Sequence, residues 1–304
     1  PALALWIGGD NGWRYAIAST GLIAILYGIY YFFAVSNTPK GSTYFKPKKM
    51  GAMEVTSRGD FALYLLMSAP IYGALALLTW KLSPANMKWF SASATYAIYV
   101  AIAALYSYQA FHIYLVNKDI FTKPVPEMFR YHFRQVAILD LAYLVTFGSE
   151  LALVSMLPLF YVDTFGLSAV HAGLVAGAYP VMNLIARPGG GILSDRIGRK
   201  LAQLILFTGM ALSFGLLGQV EQTWAVPLVV AVTVSCGLFA KAGSGAVFAM
   251  VPLIQRRMTG QIAGMAGAYG NVGGVIFLTV LSLVSPTSFF LVLAGALAVA
   301  FLGG

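Results

Sequence analysis

Apolar residues in this chain come in long runs separated by short polar stretches. Nine of these runs reach the length of a membrane-spanning helix, which needs about 20 apolar residues. They cover residues 14–33, 61–82, 87–113, 135–162, 168–190, a stretch after Lys200, 224–252, a stretch around 264–274, and 286–304. Ser83–Met87 is a short turn that pairs the second and third runs as a hairpin. Pro1–Gly9 reads as the end of a further span, so the chain reads as a piece of a longer protein cut at both ends. The pattern predicts an all-α polytopic membrane protein.

Composition agrees with that class. The chain is 59% hydrophobic and only 10% charged, against about 25% charged residues in a soluble domain. A net charge of +9 would suit a nucleic-acid partner, but the distribution argues otherwise. Loops at 36–60, 114–134, 194–200 and 253–260 hold fourteen of the nineteen Lys and Arg residues, whereas the alternating loops hold only Arg14, Lys81 and Lys88. That asymmetry places the basic loops in the cytoplasm and implies no nucleic acid. Ser36–Asp60, with Lys40, Lys46, Lys48 and Lys49, reads as a solvated linker touching anionic lipid. Cys236 is the only cysteine, and His112, His132 and His171 are scattered, so neither a disulfide framework nor a metal, cofactor or catalytic cluster is implied.

The polar residues inside the runs carry the candidate chemistry, because a charge in hydrocarbon is costly. Asp140, Tyr143, Phe147 and Glu150 share one face of the 135–162 helix. Asp140 falls near the cytoplasmic end, where solvent would satisfy it, and Glu150 near mid-bilayer. Lys241 lies at similar depth on a face with Gly237, Ser244 and Phe248, which makes it the natural partner of Glu150. Asn183 and Arg187 are four apart on another face; the forked donors of Arg match a trigonal oxyanion, although an Arg at that depth also reaches the surface. In Gly264–Gly274 (GMAGAYGNVGG), Gly264, Gly267, Asn271 and Gly274 form one stripe, and Gly270 and Gly274 a G-x-x-x-G pair. The stripe suits either a tight helix contact bridged by Asn271 or a polar pathway wall that binds a small solute.

GAYGNVGG resembles the glycine-rich signature of the nitrate/nitrite porter family, a branch of the major facilitator superfamily. Gly264, Gly267, Gly270, Asn271, Gly273 and Gly274 match it position by position. YLVTFGS (Tyr143–Ser149) and IARPGGG (Ile185–Gly191) are similar to that family's seventh and eighth helices. The resemblance implies that Tyr143 and Phe147 flank the anion and that Arg187 binds it. Gly191, Asp195, Arg196, Gly198, Arg199 and Lys200 resemble the superfamily's gating loop between paired helices. GWRYAI (Gly12–Ile17) resembles the step into its sixth helix, and GSGAVFAMVP (Gly243–Pro252) its tenth.

On this resemblance, residues 1–35 end an N-terminal bundle, 36–134 form central loops with an inserted two-helix hairpin, and 135–304 form the C-terminal six-helix bundle. The implied protein is a multi-pass transporter of a bacterial inner membrane, not an enzyme. It would carry nitrate or nitrite by alternating access, with protons or by exchange, as a monomer when full length. The implied site is Arg187, Asn271, Tyr143, Phe147, Asn183, Gly267, Gly270 and Gly274, with Glu150 and Lys241 as a proton-coupling or static ion pair. Two alternatives stand beside it. Fourteen-helix drug/proton antiporters also insert two helices between their halves, but lack GAYGNVGG and YLVTFGS. A membrane sensor or enzyme would use the fold without translocation.

Overall fold

The computed structural model describes residues 6, 8, 11–36, 41, 51–123 and 125–303, the last five as backbone only. Lys40, Lys46, Lys48 and Lys49, and most of the span end expected at Pro1–Gly9, lie outside the described residues. The helices are α1 (Gly12–Ala34), α2 (Arg58–Leu82), α3 (Ala92–Asn117), α4 (Phe133–Phe165), α5 (Ala169–Val181), α6 (Asn183–Ile197), α7 (Arg199–Leu217), α8 (Val226–Ile254), α9 (Thr259–Leu281) and α10 (Pro286–Gly303). Eight helical stretches among the described residues are long and apolar enough to cross a membrane, with α5 and α6 forming one of them and α10 following. Helices are the expected solution, since each satisfies its own backbone polar groups away from water.

The run expected at 168–190 is broken rather than continuous. α5 stops at Val181, Met182 links it to α6, and the second helix continues to Ile197. Pro180 and Pro188 lie within this stretch, and a proline supplies no backbone donor and crowds the preceding turn. The break puts Asn183 at the start of a helix.

α4 is the axis of the bundle. It packs against α9, α8, α5 and α2, while α8 packs against α6 and α7 and α10 against α7. Gly166, at φ +64°, ends α4 with its N–H on the Val162 carbonyl, a conformation glycine adopts without cost. α1 is exposed along its length, with only Gly12 buried.

The segment before α2 corrects the expectation of a solvated linker. Ala52, Met53 and Val55 are buried. Asn117, at the end of α3, donates to the Met53 carbonyl at 3.0 Å and accepts from the Val55 N–H at 2.7 Å. The Tyr131 hydroxyl donates to the Glu54 carbonyl at 2.8 Å. Asp60 ties the starts of two helices together: its carboxylate accepts from the hydroxyl of Ser57, the N-cap of α2, at 2.9 Å and from the Phe133 N–H at 3.0 Å at the start of α4. A carboxylate suits the positive end of a helix.

The same end of the molecule gathers other connections. Gln261 donates to the Ala52 carbonyl, and Arg257 lies over the Phe129 ring at 4.3 Å. At the opposite end Lys81 donates to Ser282 at 2.8 Å. The basic connections therefore share one face, as the charge asymmetry requires, and the α2–α3 hairpin is fastened to α9 at both ends.

Candidate functional site

Two pairs of helices approach closely enough to fix the site. α6 meets α8 where Gly190 faces the Ala242 carbonyl and Gly245 faces the Arg187 carbonyl, and a Cβ at either glycine would overlap that oxygen. Small residues let helix backbones touch in a membrane, where packing rather than water drives association. This contact carries Arg187 and Asn183 toward Lys241. α4 meets α9 where Gly148 lies on the Gly273 backbone and Gly273 on the Leu144 carbonyl.

Between these contacts three polar side chains converge on one carboxylate. Glu150 Oε1 accepts from Asn183 Nδ2 at 2.7 Å and lies 2.9 Å from Lys241 Nζ. Its Oε2 accepts from Arg187 Nη2 at 3.3 Å. Lys241 is fully buried, Glu150 nearly so, and the Arg187 side chain is 38% exposed. The Lys241 ammonium also sits 4.1 Å above the Tyr179 ring. Two cations against one carboxylate leave the cluster with net positive charge, which water does little to screen at this depth.

Aromatic rings floor the cluster. Tyr143 and Phe147 stack at 5.1 Å and 8°, Phe248 meets Tyr143 edge-on at 4.8 Å, and Arg187 lies over Phe147 at 5.5 Å. Gly270 leaves room for both stacked rings, since a Cβ there would press on each. Arg187 Nε is buried without a hydrogen-bond partner among the described residues. An unsatisfied guanidinium N–H is a ready donor for an oxyanion.

Tyr143, Phe147, Glu150, Asn183, Arg187, Lys241 and Gly270 are thus brought together. Asn271 and Gly267 are not. Asn271 is exposed and donates to the Gly267 carbonyl of its own helix at 3.0 Å, and neither Gly264 nor Gly267 has an atom within 4 Å of an added Cβ. The stripe Gly264–Gly267–Asn271–Gly274 is therefore not the tight seam; of the four, only Gly274 meets α4, against Leu151. The seam is one helical face away, at Gly270 and Gly273. Asp140 also departs from expectation: it is fully buried, not solvated at the helix end. Tyr179 and Phe248 complete the site, and the intramembrane Lys241 was the signal that an aromatic face would be near it.

The basic turn between α6 and α7 is compact. Gly198 takes φ +92°, Asp195 pairs with Arg199 across the turn, and Arg199 also donates to Ser194 at 3.0 Å. Gly191 lies near Gly245 and Ala249 of α8, while Arg196 and Lys200 are exposed.

The model of the Major Facilitator Superfamily matches residues 139–303, which is α4 through α10 and contains the whole cluster. The chain belongs to the major facilitator superfamily. It is 47% identical over 281 residues to the nitrate/nitrite transporter NrtP of Picosynechococcus, covering 91% of this chain and 52% of that protein. It is 42% identical over 299 residues to NrtP of Nostoc punctiforme, covering 97% and 60%. It is 36% identical over 146 residues to the high affinity nitrate transporter 2.5 of Arabidopsis thaliana, covering 46% and 28%. The chain therefore spans roughly half to three-fifths of the cyanobacterial relatives. The multi-pass integral membrane character agrees with the eight membrane-length helical stretches among the described residues.

Proposed function

We propose that this chain is part of a secondary active transporter that moves nitrate or nitrite across the plasma membrane by alternating access. The observation that carries this reading is the net-positive cluster of buried Lys241 and Glu150 with half-buried Arg187 over the Tyr143–Phe147 stack. A small planar monoanion fits such a place. Its charge balances the surplus cation, its oxygens take the free Arg187 donors, and its flat face lies on an aromatic ring. The printed names of the relatives support the same substrate class.

Glu150 holds Arg187, Lys241 and Asn183 in place, so its role in this reading is to organise the site. Asn271 and Gly267, on the open face of α9, line the pathway from the side that other helices of a longer protein would close. Moving a monoanion into a negatively charged interior costs about 2.3 kcal/mol per 100 mV, so accumulation requires co-transported protons or exchange for another anion. A surplus of positive charge disfavours the cationic drugs of the antiporter alternative. The complete transporter would work as a monomer.

The test is uptake of labelled nitrate by cells expressing the full-length protein. Saturable uptake, lost in Arg187→Lys at normal membrane levels, supports the assignment. Ligand binding without movement of label would make the protein a sensor instead.

A further inference from the structure

Asp140 is a charged-type side chain for which the anion cluster has no use. It lies on α4 ten residues before Glu150, about 15 Å along the helix. None of its surface is exposed, and neither carboxyl oxygen has a hydrogen-bond partner among the described residues. Buried carboxylates are ordinarily paired with a cation or several donors, as Glu150 is. A carboxyl group left in this state is tolerated away from water when it carries a proton.

The groups that face Asp140 are not cations. Two phenols, Tyr64 of α2 and Tyr269 of α9, are its titratable neighbours on the helices that pack against α4. Tyr143 on its own helix belongs to the aromatic floor, and Lys241 of α8 is held by Glu150. Asp60 lies at the foot of α2, where Ser57 and Phe133 satisfy it.

The Tyr64 hydroxyl accepts from the Met53 N–H at 3.3 Å, and its ring borders open space. Tyr64 lines a cavity of about 300 Å³ between the α2–α3 hairpin, α9 and the strap before α2, bounded by Met53, Ser68, Gln109 and Gln261. The cavity lies toward the end that carries the basic connections. Its walls bring hydroxyl and amide groups, which hold water, and no cation that would repel a proton.

We propose that Asp140 is a proton-binding site of the transport cycle, discharging to the cytoplasm through the hairpin cavity by way of Tyr64. The carboxylic acid passes a proton to the Tyr64 hydroxyl as that hydroxyl gives its own to cavity water, leaving a carboxylate, an intact phenol and a hydronium ion; reloading reverses the step. This rests on the anion-transport reading above, and it separates the two roles along one helix. Glu150 orders the anion site, and Asp140 carries the proton. It also gives the hairpin a purpose, since the hairpin supplies one wall of the discharge route.

The experiment uses the full-length transporter in proteoliposomes, with two readouts. In infrared difference spectra taken across a pH titration, the wild type should show a protonated-carboxyl C=O band that Asp140→Asn removes and Asp140→Glu shifts. In transport, Asp140→Asn should keep nitrate counterflow and lose nitrate accumulation driven by a pH gradient. Full accumulation by Asp140→Asn, or a wild-type band that the substitution leaves unchanged, overturns the proposal. If the wild type shows the Asp140 band but no nitrate counterflow, the proton site stands and the anion reading fails.

Discussion

Lys241 and Glu150 make contact at 2.9 Å with almost no exposed surface on either side chain. Neither would be stable alone at that depth, and Arg187 adds a second cation to the same carboxylate at 3.3 Å. Breaking one partner of a buried pair costs about 3–5 kcal/mol, because the remaining charge is left uncompensated. Glu150→Gln leaves two cations facing each other, so it should lower the thermal midpoint in detergent more than Lys241→Met does. The double variant should recover part of the stability without recovering transport. Equal midpoints for the three variants and the wild type would show that the pair does not support the fold.

The α4–α9 seam predicts opposite outcomes for neighbouring glycines. Gly273→Leu drives a side chain into the Leu144 carbonyl and the Gly148 backbone, an overpacking that costs about 1–3 kcal/mol or more. Gly267→Ala meets open space in this chain and should keep the bundle intact. Fluorescence-detected size exclusion at rising temperature distinguishes them, and an unstable Gly267→Ala would mean that another helix packs there.

Asn117 is the clasp that holds the strap before α2 by two bonds to the backbone. Asn117→Ala leaves a buried N–H and a buried carbonyl without partners, each worth about 1–3 kcal/mol. Protease cleavage between residues 51 and 57 should become faster in this variant. Unchanged cleavage would show that the strap is held by its apolar contacts alone.

Much of this was legible in the sequence, for a reason that differs by element. Runs of apolar residues declare membrane helices by length alone, which is why eight of the nine expected runs return as membrane-length helical stretches among the described residues. Glu150 and Lys241 announced each other because each is intolerable without an opposite charge. The position of the glycine seam was not legible. GMAGAYGNVGG carries glycines on two faces of one helix, and only the partner, Gly148 on α4, shows which face is buried. Asp140 was misread for a related reason. Depth along a helix was readable, but the α2–α3 hairpin that covers this end of α4 is joined to it through contacts distant in sequence. The strap before α2 looked like linker because its polar composition hides the role of Asn117, some sixty residues further along the chain.

Arg187 is the residue on which the proposed anion binding depends. Its fork makes two charge-assisted bonds possible to one planar anion, which the single-point charge of Lys cannot reproduce. Losing one such bond costs about 1.5–3 kcal/mol, or roughly a ten- to hundredfold weaker affinity. The direct measurement is nitrate binding to the purified full-length transporter by titration calorimetry, wild type against Arg187→Lys. Anion binding by the Arg187 fork predicts nitrate binding in the wild type and a loss of at least about tenfold in the variant at unchanged thermal stability. Equal nitrate affinity in the two proteins would contradict it.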